Sequence, residues 1–156
     1  MDLSQYFTSA DLAGIAPEII LTIAALFVLT LEMARLSRPG IMLFVAAMGI
    51  VLAGGALAQA GGEERVLFGG MLRLNSFSIF LDFLYLAVGL ATLILSQGYL
   101  EKKGNETRGE YPALILFAII GMMLMTQAND LVMVFLGLER LSLSLCVLVG
   151  FLRHDI

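Results

Sequence analysis

The residues with most chemical potential lie in one apolar run, LVMVFLGLERLSLSLCVLVGFL, from Leu131 to Leu152. A bilayer core takes about 20 helical residues, so this run is long enough to cross it. Glu139 and Arg140 sit near its middle. A charged side chain at that depth costs a few kcal/mol, roughly 2.5–3.5 for Arg on insertion scales, and marks an ion pathway by default. Residues three, four and seven apart share a helix face. Ser142, Cys146 and Gly150 therefore follow Glu139 along one stripe. Small, weakly polar residues suit contact with other helices, so Glu139 is expected to point into a bundle and reach water or a partner there. The plainer alternative is a structural glutamate held by a hydrogen bond.

Other ionisable groups are few within apolar segments. Asp82 lies inside a third run, about two turns from its start, with pathway and structural roles both open. Glu18 follows Pro17 at the start of the first run. There, proline needs no intrahelical donor and an acid suits the positive end of the helix dipole. Glu32, one turn before Arg35 and Leu36, reads as interfacial. Neighbours at i and i+1 on a helix do not face each other, so Arg140 is not simply paired with Glu139. An unpaired buried charge is strongly unfavourable. Asp82, at similar depth, is therefore expected to be the ion-pair partner of Arg140 slightly ahead of Glu139. A cation held against Glu139 would keep that acid ionised.

The segments that must position these groups are apolar throughout. The 156 residues are 60% hydrophobic, well above the 45–50% or so of a soluble domain. The expected fold is an all-α membrane protein in a single domain, 1–156, with about five spans near 15–34, 41–58, 76–96, 111–127 and 131–152. Ala46, Gly49, Ala53, Ala56 and Ala60 form a small-residue stripe for close helix approach, and Ala87 and Ala91 a second pair. Between the second and third spans, Arg65 to Leu74 carries Gly69-Gly70 between apolar runs. That pattern suits a small β-hairpin with a two-residue turn; an irregular interfacial loop is the alternative. Gly98 to Glu110 reads as a polar loop. Asn129 or Asp130 can cap the fifth span.

Arg35, Arg38, Lys102, Lys103, Arg108 and Arg153 fall on one side of the spans, Arg65 and Arg73 on the other. The positive-inside rule places the first group in the cytoplasm, with the N-terminus outside and the C-terminus inside. Residues 1–14 lack the basic start of a signal peptide and read as a mature N-terminus. The single Cys146 excludes an intrachain disulfide and cannot supply the four thiolates of a typical iron–sulfur cluster. His154 alone makes no metal constellation. There is no G-x-G-x-x-G or P-loop pattern, and nothing calls for nucleic acid.

The stretch from Glu110 to Asp155, GEYPALILFAIIGMMLMTQANDLVMVFLGLERLSLSLCVLVGFLRHD with Gly109 in front, resembles subunit N of bacterial proton-translocating NADH–quinone oxidoreductase, respiratory complex I. Pro17 to Met33, PEIILTIAALFVLTLEM, is similar to the first helix of that family. The resemblance is weakest from Ile41 to Leu74. It implies a membrane-arm subunit in the bacterial cytoplasmic membrane, neighbouring other membrane-arm subunits. It also implies that Glu139 lies on a transmembrane proton pathway. Flavin and iron–sulfur clusters are expected in other subunits, with no cofactor here. Arg140 stands where the family has an aliphatic residue, and Cys146 where a tyrosine is usual. The resemblance covers the front part of a longer fold with further helices and intramembrane lysines, so the chain is expected to be inactive alone. A structural membrane subunit without translocation and part of a Mrp-type cation/proton antiporter are the alternatives.

Overall fold

The computed structural model describes residues 9–34, 39–59, 64–102 and 110–151. A short helix, α1 (Ser9–Gly14), leads through Ile15 into α2 (Ala16–Met33). Then come α3 (Pro39–Gln59), strands β1 (Arg65–Leu67) and β2 (Leu72–Leu74), α4 (Ser76–Lys102), α5 (Glu110–Gln127) and α6 (Leu131–Phe151). Five of these helices are long and apolar enough to cross a membrane, and the small antiparallel hairpin is present, as the residue pattern anticipated. The charged residues Arg35, Arg38, Lys103, Arg108 and Arg153, on which the expected orientation rests, lie outside the described residues, as does His154.

The helix starts follow local chemistry. Pro17 occupies the first turn of α2, where no donor is needed. At α4, the Asn75 side-chain oxygen accepts from Ser78 N–H at 2.7 Å, and the Ser78 hydroxyl oxygen accepts from Asn75 N–H at 2.9 Å. This reciprocal arrangement satisfies two donors that a helix start leaves open. The other end of α4 departs from expectation. It continues to Lys102 through residues expected in a loop, because Leu100, Glu101 and Lys102 are good helix formers and a lone Gly98 is tolerated.

Buried α5 is the hub, packing on α2, α4 and α6, while α3 packs on α2 and α4. In lipid, helices associate through close packing, since the surroundings are as apolar as the contact itself. Glycine and alanine set the approaches. Ala46, Gly49 and Ala53 of α3 are buried as the stripe requires, and a Cβ built on Gly49 would sit 2.5 Å from Ala24 Cβ of α2. Ala87 and Ala91, by contrast, are exposed. The neighbouring face, with Leu86, Gly89 and Leu93, packs inward instead, because Gly89 leaves room for the Ile119 side chain of α5. Between α5 and α6 the approach is backbone to backbone. A Cβ on Gly121 would lie 2.9 Å from Leu141 N and 3.0 Å from the Gly137 carbonyl oxygen.

The hairpin pairs Arg65 with Leu74, Val66 with Arg73 and Leu67 with Leu72. Its connection is not the two-residue Gly-Gly turn expected. Phe68 to Met71 form a longer loop, and Phe68, Gly69 and Gly70 all adopt positive φ (51°, 64° and 103°). Phe68 leaves the ladder to pack on the cluster of Leu67, Leu72 and Leu74, and its N–H donates to Asp11 of α1 at 3.3 Å. Of the two residues expected to cap α6, Asp130 directly precedes the helix and its carbonyl accepts from Val134 N–H, while Asn129 fastens the loop: its side chain donates to the Gly70 carbonyl at 2.8 Å and its backbone N–H to that of Met71 at 2.9 Å. Ile15, Ile79 and Met133 pack on the same leucine cluster. The hairpin thus covers the ends of α2, α4 and α6.

Candidate functional site

Two groups of ionisable residues emerge, on opposite sides of α5. The first is buried beneath the hairpin. Glu18 in the first turn of α2, Asp82 on the second turn of α4 and Gln127 at the end of α5 meet between the three helices. The Gln127 side-chain nitrogen donates to Glu18 Oε1 at 2.6 Å and to Asp82 Oδ2 at 2.8 Å. One amide thereby spends both its hydrogens on two carboxyl groups. Asp82 is 0% exposed, Gln127 1% and Glu18 5%. The other oxygen of each group, Glu18 Oε2, Asp82 Oδ1 and Gln127 Oε1, has no hydrogen-bond partner among the described residues. Close by, the hydroxyls of Tyr85 on α4 and Thr126 on α5 hydrogen bond at 3.2 Å.

Asp82 is therefore brought to a glutamine and a second acid, and not to Arg140. The expected ion pair is not formed. Arg140 lies over the Phe117 ring of α5, 5.3 Å from its centroid. Phe117 precedes Gln127 by ten residues, about 15 Å along the helix at 1.5 Å per residue. That separation places the guanidinium well below Asp82. Arg140 and Ser144 lie on the side of α6 that packs on α5, and the Ser144 hydroxyl donates to the Arg140 carbonyl at 2.9 Å. A cation over an aromatic face gains about 0.5–2 kcal/mol, which offsets part of the expense of a charge in a span. Arg140→Leu and Asp82→Asn share no partner and are expected to change the melting temperature additively. The check is a double-mutant cycle by thermal unfolding of the purified chain in detergent. A coupling above roughly 0.5 kcal/mol would contradict this arrangement.

The second group is the stripe of Glu139, Ser142, Cys146 and Gly150. All four are exposed. Among the described residues none faces the other helices, contrary to the expectation that Glu139 points into the bundle. The face that packs is set by Gly137, Arg140, Leu141 and Ser144, because Gly137 and Gly121 allow backbones to touch. Glu139 is thus placed mid-helix on the open side of α6, with no hydrogen bond or ion pair to any described residue. Among the described residues, no group of three or more His, Cys, Asp or Glu could hold a metal ion.

Residue-level inspection of the sequence missed Glu18 and Gln127 as members of a site. The available signal was depth. Glu18, Asp82 and Gln127 all lie within about two turns of the helix ends on one face, once alternation of the spans is followed.

No family model matches the chain. Individual proteins do, and along nearly all of it. It is 37% identical over 156 residues to NADH-quinone oxidoreductase subunit N 1 of Solibacter usitatus (strain Ellin6076), covering 99% of this chain and 32% of that protein. The chain is homologous to NADH-quinone oxidoreductase subunit N. Subunit N 2 of Roseiflexus castenholzii (strain DSM 13941 / HLO8) is 44% identical over 128 residues, covering 82% of this chain and 25% of that subunit. Subunit N of Chloroflexus aggregans (strain MD-66 / DSM 9485) is 36% identical over 143 residues, with 90% and 29% covered. The chain spans about a third or less of the length of these curated subunit N relatives. Homology and five apolar helices together describe a multi-pass membrane protein of subunit N ancestry.

Proposed function

We propose that this chain contributes to the membrane arm of a proton-translocating NADH–quinone oxidoreductase, and that Glu139 is a group on its transmembrane proton pathway. The observation that carries the reading is the placement of Glu139. It is an acid in the middle of a homologous spanning helix, on a face that the chain's own helices leave open. An ionisable group at such depth is retained where it meets water, a proton or a partner. Ser142, Cys146 and Gly150 on the same stripe give a neighbouring helix room to approach. The neighbours in this reading are other helices of the membrane arm, and the flavin and iron–sulfur clusters belong to other subunits. Arg140 is turned onto Phe117, which leaves the Glu139 carboxyl uncommitted. The loop charges orient the chain with its N-terminus and hairpin outside the bacterial cytoplasmic membrane.

The test is Glu139→Gln in the assembled complex, in inverted membrane vesicles. NADH-driven proton uptake is expected to fall severalfold, while NADH oxidation by an artificial electron acceptor is unchanged. Unaltered proton uptake per NADH would favour a structural subunit and overturn the pathway role. The purified chain alone, reconstituted in liposomes, is expected to carry no Glu139-dependent proton flux.

A further inference from the structure

The buried cluster on the other side of α5 is not explained by packing alone. A polar tie between three helices needs its groups satisfied, because a buried polar atom without a partner is expensive in a low-dielectric interior. Here the tie is half satisfied. Gln127 gives both its side-chain hydrogens, yet one oxygen on each of the three residues lacks a donor among the described residues. Two carboxyl groups share one neutral amide, and no Lys, Arg or His among the described residues bonds either acid. A proton on either carboxyl removes one of two like charges and adds the missing donor.

The cluster also borders a cleft, although the Glu18 carboxyl is itself covered, with Glu18 only 5% exposed and its Oε2 buried. A cleft of about 290 Å³ opens beneath the hairpin, lined by Glu18 together with Phe68, Met71, Leu72, Leu124 and Met133. Glu18 is the titratable residue of this lining. The elements that face it, the hairpin, α5 and α6, present apolar side chains there. The charges of the hairpin are directed elsewhere: Arg73 bonds Glu64 at 3.1 Å on the exposed side, and Arg65 lines a separate cleft with Gln59. Asp11 on α1 accepts from the Phe68 N–H. Asp82 lies behind Glu18, joined to it through Gln127.

We propose that Glu18, Asp82 and Gln127 form a second proton-binding site, which exchanges protons with the hairpin side of the membrane through this cleft. A water-borne proton enters the cleft. Its bond to water oxygen breaks as an O–H bond forms on the Glu18 carboxyl, and neutral water returns to the cleft. Gln127 keeps both acids adjacent, so that charge lost at one is felt at the other. This site does not depend on the Glu139 role, since it lies on other helices and at a shallower depth.

The experiment is pH-jump infrared difference spectroscopy on the full chain in lipid nanodiscs, following the carboxylic C=O stretch. Acidification is expected to produce a band that is lost in Glu18→Gln and displaced in Asp82→Asn. Both variants keep the shape of the side chain and the reach of its oxygen. Met133→Trp, which narrows the cleft, is expected to slow the shift of that band on transfer to deuterium oxide. A C=O band that is indifferent to pH, or that survives in both variants, would show a purely structural tie and overturn the proposal. A band that responds to sodium at fixed pH in place of protons would also overturn it, by assigning the site to a metal cation. If Met133→Trp leaves the deuterium shift as fast as in the parent chain, the cleft is not the route and the proposal fails in that part.

Discussion

Gly121→Val is expected to detach α6 from the bundle, lowering the melting temperature more than any other single glycine replacement in the chain. At Gly121 an added Cβ meets backbone: Leu141 N at 2.9 Å, the Gly137 carbonyl oxygen at 3.0 Å and Leu141 Cα at 3.2 Å. A flexible side chain can swing away from such an intrusion, but a helix backbone moves only as a whole. Overpacking of this kind typically costs about 1–3 kcal/mol and occasionally more. Valine adds two further methyls at the same point. In a bilayer, moving α6 outward exposes it to lipid tails as apolar as the face it left, so nothing but lost packing opposes the motion. The matched control is Gly55→Ala, where an added Cβ has nothing within 4 Å and alanine favours the helix by about 0.5–1 kcal/mol. Thermal unfolding in detergent, with proteolysis of α6 as a local readout, compares the two. Equal melting temperatures for both variants would mean that α6 is not held by the Gly121–Gly137 approach.

Gln127→Leu is expected to be the most damaging substitution among the polar residues. It removes both hydrogen bonds at once and leaves Glu18 and Asp82 facing each other without a donor between them. Deleting one member of a buried charged network costs about 3–5 kcal/mol, because the remaining groups stay buried and uncompensated. Gln127→Asn, shorter by one methylene, should fall between the parent and leucine. The informative comparison is the triple replacement of Glu18, Asp82 and Gln127 by leucine, measured by chemical denaturation in mixed micelles. Removing every partner together is often nearly neutral where removing one is not. The triple variant should therefore be more stable than Gln127→Leu alone. A triple variant that unfolds more readily than the single one would show that the cluster stabilises the bundle in its own right.

The helices were legible in the chain because lipid demands about 20 apolar residues per span and little else. The hairpin was legible from Gly69-Gly70 and its flanking leucines. Its turn was not, because the geometry of Phe68 to Met71 is set by Asp11 and Asn129, distant residues that no local pattern reveals. Glu139 stood out as an acid inside an apolar run, and that local signal needed no fold to be seen. Which way it faces did depend on the fold: Gly121 and Gly137 select the face of α6 that packs, and the glutamate stripe is left on the other side. Glu18 looked like an ordinary first-turn acid because nothing near it in sequence announces Gln127, more than a hundred residues on. The Arg140–Asp82 pairing failed for a related reason. Similar depth counted along the two helices did not carry over to the side chains, because the Arg140 guanidinium lies over Phe117, well below Asp82.

The clasp between Asn129 and the hairpin loop has a consequence for how the chain enters a membrane. Gly70 and Met71 emerge after two spans, Asn129 after four. Both numbers are even, so the two partners arrive on the same side of the bilayer when both intervening spans have crossed, and on opposite sides when just one of them has. During synthesis the hairpin must wait for Asn129 while α4 and α5 are inserted. A chain in which one of the two alone fails to cross delivers Asn129 to the opposite surface, where no clasp can close. The contact therefore acts as a parity check on insertion, made by two hydrogen bonds at a point where errors in the number of crossings become errors of side.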